Sequence, residues 1–155
     1  MLTGLLAKPI YELIPLDGAR DNASALPAGV PMTVTVSARL GLDATLSLAE
    51  WLASRGHAVA PHLAARLIRD RAHLTDVLDR LRTAGIRKVF IVGGDGPPIG
   101  DVHDGLTLIR AIHALGHSFD EIGVPAYPEG HLKIPGDVLL RDLKEKQPYV
   151  QAMTT

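Results

Sequence analysis

The sequence predicts an α/β fold assembled from parallel βα units, and three features carry that expectation. Short β-branched apolar runs stop abruptly at Gly or Pro and then expose polar and acidic residues, most plainly at Lys88–Pro98 (KVFIVGGDGPP) and Ile122–His131 (IGVPAYPEGH). A buried parallel strand that delivers side chains to its carboxyl end has this pattern. Segments of helical period separate the runs at intervals of about thirty residues, the spacing of βα units. Finally, Thr35, His62, Asp95, Tyr127, Glu129 and His131 fall at the carboxyl ends of expected strands, with Glu12 inside one. That edge is where α/β folds build their sites.

Taken in order, Ile10–Leu16 (IYELIPL) reads as the first strand, with Glu12 as its one carboxylate. Asp17–Pro31 is rich in Gly, Pro, Asn and Asp and reads as loop or at most one short helix. Met32–Ser37 (MTVTVS) is a strand, with Thr35 and Ser37 on one face and Val34 and Val36 on the other. Leu46, Ala49, Leu52 and Ala53 mark a helix over Asp43–Arg55, with Asp43 or Thr45 as N-cap and Gly56 as its stop. Ala58–Leu63 is the third strand, ending at His62. Leu74, Val77, Leu78 and Leu81 give a helix over Asp70–Ala84, and Gly85 closes it. Lys88–Val92 is the fourth strand, Leu106 to Leu115 a helix closed near Gly116, and Ile122–Ala126 the fifth strand. A last helix spans Gly136–Lys146 and must end before Pro148, after which YVQAMTT begins a sixth strand. Two architectures fit this order. An open doubly wound sheet would be complete at 155 residues, whereas a (β/α)8 barrel takes about 250.

Composition narrows the function. At 155 residues with 46% hydrophobic and 21% charged, the chain is a single domain spanning residues 1–155 with enough apolar content for a core. Sixteen Lys and Arg against seventeen Asp and Glu leave a net charge of -1, which gives no field to attract a phosphate backbone, so nucleic acid is not expected as a partner. No cysteine is present, so there is no disulfide framework and no thiolate site; the cytoplasm is the expected compartment. The N-terminal stretch is interrupted by Lys8 and Glu12 and lacks a basic leader and cleavage site, and no apolar run reaches the roughly 18 residues of a membrane span.

Each reactive residue has an ordinary structural reading. Glu12 could pair with an arginine, His62 could be a hydrogen-bonded core histidine, and Asp95 in GGDG could cap its own turn. GGDGPPIG is not GxGxxG, and Pro97 and Pro98 remove N–H groups that would cradle a pyrophosphate. GGDG also occurs as the signature of NAD kinase and phosphofructokinase, which makes a phosphotransferase the alternative reading; those families follow it with Thr or Ser, here Pro97. His113 and His117 stand at i, i+4 on one helix, a spacing that also suits a solvated face, and no Ser-His-Asp order or GxSxG elbow supports acyl transfer.

With IYELIPL, VTVTVSA, APHL, VFIVGGDGPP, AYPEGH and LKEK in this order, the chain resembles methylenetetrahydrofolate reductases, most closely a divergent actinobacterial-type branch. The resemblance covers essentially the whole chain, and AYPEGH is its most specific block. It implies the (β/α)8 TIM barrel, reached here to about the sixth strand, and reduction of methylenetetrahydrofolate to methyltetrahydrofolate by NADH or NADPH through FAD. By resemblance Glu12 is the acid that protonates the folate nitrogen as the five-membered ring opens. A carboxyl group inside an apolar strand suits that role, because burial disfavours its charged form. Gly94 and Asp95 match the loop beside the flavin and the pterin, and Thr35 and His62 match residues lining the flavin pocket. Ala126, Tyr127 and His131 match residues that touch the flavin and its ribityl phosphate region, and Lys146 matches a pyrophosphate-binding lysine. Glu129 belongs to the same block.

The chain also departs from the family pattern. Gly93 stands where an Arg usually precedes Gly-Asp, Glu145 replaces a basic residue before Lys146, and Val36 replaces an aromatic residue. Missing positive charge and an added carboxylate disfavour a diphosphate. Hydride transfer from the nicotinamide directly to the folate is therefore open beside the FAD route. A barrel reached only to its sixth strand leaves two open edges, so a homo-oligomer, or a remnant that only binds folate, is also expected. The central spatial expectation is that Glu12 and Asp95 meet across a shared mouth.

Overall fold

Six strands run through one sheet in chain order: β1 (Tyr11–Leu13), β2 (Pro31–Val34), β3 (Ala58–Ala64), β4 (Lys88–Val92), β5 (Glu121–Pro125) and β6 (Ala152–Thr154). The structure, a computed structural model, describes residues 9–154; residues 1–8 of the apolar N-terminal stretch and Thr155 lie outside the described residues. Every neighbouring pair is parallel. A doubly wound sheet reverses its order at a switch point, whereas consecutive barrel strands add one beside the last. The unbroken order decides between the two: these are parallel βα units of the (β/α)8 barrel type, through the sixth strand.

The connecting helices are α1 (Ala19–Ser24), α2 (Gly41–Ser54), α3 (Arg71–Thr83), α4 (Gly105–Leu115) and α5 (Gly136–Lys146). Two have a carboxylate cap: Asp70 accepts from the His73 N–H at 2.8 Å, and Asp104 accepts from the Thr107 N–H at 2.9 Å. Each satisfies an amide that the first helical turn leaves without a partner. The expected cap of α2 is corrected. The helix begins at Gly41, before Asp43 and Thr45, and the Thr45 hydroxyl instead donates to the Thr35 carbonyl at 2.8 Å. Thr45 is fully buried, so a tertiary partner wins over a local one. The strands β1 and β2 are also shorter than Ile10–Leu16 and Met32–Ser37.

Parallel register fixes which side chains share a face. Met32 pairs with Val59 and Val34 with Pro61, while Val89 pairs with Ile122. These residues, with Leu63, Ile91 and Val124, form the outer face and are buried beneath Leu46, Leu52, Leu74, Leu81, Leu108, Ile109 and Ile112. A fully buried Leu or Ile contributes about 1.5–3 kcal/mol, so this layer holds the fold together. Across it, Arg80 of α3 donates to Glu50 of α2 at 2.7 and 3.0 Å and to Asp43 at 2.8 Å.

The opposite, inner face carries Glu12, Thr33, Ala60, His62, Phe90, Val92 and Pro125, none of them buried, together with Gly123. A Cβ on Gly123 would stand 2.8 Å from the Phe90 ring, so glycine is required for Phe90 to lie across β5. The last helix packs unlike the others. Its only buried residue is Lys146.

Candidate active site at the strand ends

Glu12 lies in register with Thr33 and Ala60, which places it on the same inner face as His62, two residues beyond Ala60. The His62 ring stacks on Phe90 with centroids 4.8 Å apart. Burial pushes the His62 pKa below its ordinary value of 6.5, and the Glu12 charge works in the opposite direction. The burial that would disfavour a charged Glu12 is not found: among the described residues its side chain is exposed.

Thr35 follows the end of β2, where its N–H donates to the Leu13 carbonyl at 2.9 Å and its hydroxyl to the same oxygen at 3.3 Å. It ties β2 to β1 beside Glu12. The loop after β4 turns back over β3: a Cβ on Gly94 would meet the Ala64 Cβ at 3.3 Å, and one on Gly96 would meet the Ala38 Cβ at 3.1 Å. Gly94 has a φ of 96°, a left-handed conformation that glycine adopts without penalty. Asp95, between them, is exposed. Further along, a Cβ on Gly100 would fall 2.0 Å from the Arg69 carbonyl oxygen, so this loop packs backbone against backbone.

After β5, Ala126 and Tyr127 enter an exposed loop. Tyr127 has a φ of 47°, the only positive value outside glycine among the described residues. A non-glycine residue held there stores strain, and such strain clusters at functional sites. The Tyr127 ring meets His131 edge to face at 5.1 Å, and the Gly130 N–H closes the turn on the Tyr127 carbonyl at 2.9 Å, with Glu129 exposed between them. His131 Nδ1 accepts from the Lys133 N–H at 3.2 Å.

Lys146 stands apart from this group. It is buried, its Nζ pairs with Asp142 at 2.5 Å, and it lies against Gly105 at the start of α4. Burial works to raise the Asp104 pKa, but hydrogen bonds from Thr107 and Leu106 and the Lys146 charge outweigh it and hold that carboxyl below its ordinary value. Lys146 thus lies buried against the start of α4, paired with Asp142 of its own helix.

Glu12, Thr35 and His62 are therefore brought together on one face, with the Asp95 loop laid over the end of β3 and Tyr127 paired with His131 beyond β5. A family model for methylenetetrahydrofolate reductase matches residues 18–152. The chain belongs to the methylenetetrahydrofolate reductase family. Membership makes it a folate-related oxidoreductase by descent and leaves the phosphotransferase alternative without support. The matched span holds every residue of the group except Glu12, which precedes it in β1. Among residues of this family member that sequence reasoning missed, Phe90 and Gly123 shape the inner face, and a glycine inside a strand is a sequence signal of close approach. Arg66, whose side chain bonds the Asp95 loop, had no such signal.

Proposed function

We propose that this chain reduces methylenetetrahydrofolate to methyltetrahydrofolate, with NADH or NADPH as the hydride source. The observation that carries the reading is the placement of Glu12 and His62 on the same inner face of the sheet, beside Thr35. A pterin laid on that face would cover Ala60 and Phe90 and exclude water from Glu12. Glu12 then gives its proton to the bridging nitrogen as the carbon–nitrogen bond breaks, the nicotinamide gives hydride to the freed methylene carbon and is itself oxidised, and solvent returns the proton to Glu12. His62, held neutral near pH 7 by its burial, offers a hydrogen bond without competing charge. Asp95 positions the reacting rings.

FAD, when bound in such enzymes, relays the hydride between nicotinamide and folate. Thr35, His62, Gly94, Asp95, Ala126, Tyr127 and His131 could line a flavin ring, but Lys146 does not fit a diphosphate, since its ammonium is buried and already paired with Asp142. The reading therefore takes the direct route from nicotinamide to folate. Ile10, Tyr11, Ile14 and Leu16 leave the β1 edge apolar and exposed, which favours a second copy as its cover.

The test is Glu12→Gln. Reduction of the folate is lost while folate binding persists; turnover equal to the parent chain would remove Glu12 from the chemistry. The visible spectrum of the purified protein, recorded anaerobically, separates the two hydride routes.

A further inference from the structure

We propose that Arg66 is the positioning residue that holds the loop between β4 and α4, and Asp95 with it, over the end of β3. Arg66 follows β3 in a single 3₁₀ turn, Ala65–Leu67, so its backbone is anchored to the sheet. From there it reaches both limbs of the loop. Its Nη1 donates to the Gly94 carbonyl at 3.1 Å and the Gly96 carbonyl at 3.3 Å, and its Nε donates to the His103 carbonyl at 3.1 Å. Its own N–H donates to the Gly93 carbonyl at 3.1 Å, and its carbonyl accepts from the Ile99 N–H at 3.0 Å.

The loop cannot hold itself. Residues 93–103 contain four glycines before Asp101, none with a side chain to pack, and Pro97 and Pro98 have no N–H to donate. Among the described residues, every hydrogen bond its backbone makes outside the strand ladders and the α4 cap runs to Arg66. Gly94 and Gly96, the two carbonyls held by one nitrogen, flank Asp95. The guanidinium fork therefore sets where that carboxylate stands. Bonds from a charged donor to carbonyls are stronger than neutral ones, and a planar fork fixes direction as well as distance. A lysine supplies charge without the fork.

This inference rests on the proposed reductase reading only in giving Asp95 a role, so its test has an arm that does not need activity. Peptide-level hydrogen exchange is compared in the parent chain, Arg66→Ala and Arg66→Lys. Exchange in the loop peptide that carries Ile99, whose N–H donates to the Arg66 carbonyl, quickens about tenfold or more in Arg66→Ala and nearly as much in Arg66→Lys, while peptides from α2 and α3 keep the parent rate. Unchanged exchange in the loop, or equal quickening across the whole chain in both variants, overturns the proposal. Where folate reduction is measured, Arg66→Ala combined with Asp95→Asn lowers turnover no further than Asp95→Asn alone, and losses that multiply would show that Arg66 does not act through Asp95. A parent chain without activity would count against the reductase reading and leave the exchange result to decide on Arg66.

Discussion

The two faces of the sheet are built from the same strands to opposite ends. The outer face, with Met32, Val34, Leu63, Ile91 and Val124 at or near zero exposure, is closed by helices, whereas the inner face leaves Glu12 exposed and Thr33, His62 and Phe90 half-buried. Because side chains alternate along a strand, each βα unit assigns stability to one face and chemistry to the other. Substitutions should separate accordingly. Leu63→Ala and Ile91→Ala remove fully buried branched side chains and are expected to cost about 2–5 kcal/mol each in urea unfolding, while Thr33→Ala on the inner face should cost under about 1 kcal/mol. Similar losses on both faces would mean that another layer covers the inner face in solution.

Gly123, like Ala64, is buried although it lies on the inner side. Its hydrogen leaves the room that the Phe90 ring occupies. Gly123→Ala is expected to cost about 1–3 kcal/mol through overpacking, and Phe90→Leu in the same chain should recover much of it. Independent, additive losses in the double-mutant cycle would show that the two residues do not compete for this space.

How much of this could be read from the sequence follows the same division. The outer layer was legible, because helical period and β-branched runs record burial directly: β4 stands at Lys88–Val92 and α3 at Arg71–Thr83, within the expected Asp70–Ala84. The expected α2 caps failed because Thr45 has a tertiary partner, and propensity knows nothing of a carbonyl ten residues back. Glu12 was legible as an anomaly but not in its exposure, which depends on what covers the inner face. Arg66 was illegible, since its side-chain partners are backbone carbonyls 28 to 37 residues away and carbonyls leave no trace in residue identity. Lys146 illustrates the remaining difficulty. A lysine after a helical run reads as a ligand for anions or as an ion pair, and only the packing of α5 on α4 distinguishes them.

That distinction can be tested on the outer layer. Lys146→Met keeps the length of the side chain and removes the buried charge paired with Asp142, with an expected loss of about 1–3 kcal/mol in thermal or urea unfolding. Unaltered stability combined with weaker binding of a dinucleotide would return Lys146 to the ligand side of the comparison.

The smallest effect is the most local one, and it reads the inner face against the outer through two histidines. Burial lowers the pKa of both His62, on the inner face, and His73, whose Nδ1 accepts the Arg69 N–H at 3.1 Å in the outer layer. Each is therefore protonated later in the folded chain than in the unfolded one as pH falls. Their contribution to stability is complete above the unfolded value near 6.5 and is lost as pH drops from there through the lower folded values. Glu12→Gln removes the one charge that opposes burial at His62 and leaves every charge around His73 in place. Followed by NMR titration of the imidazole ring protons, His62 should move to a still lower pKa in that variant while His73 stays where it was. A stationary His62 would mean that water between Glu12 and the ring screens them, and the shared inner face would then lack the coupling on which its chemistry depends.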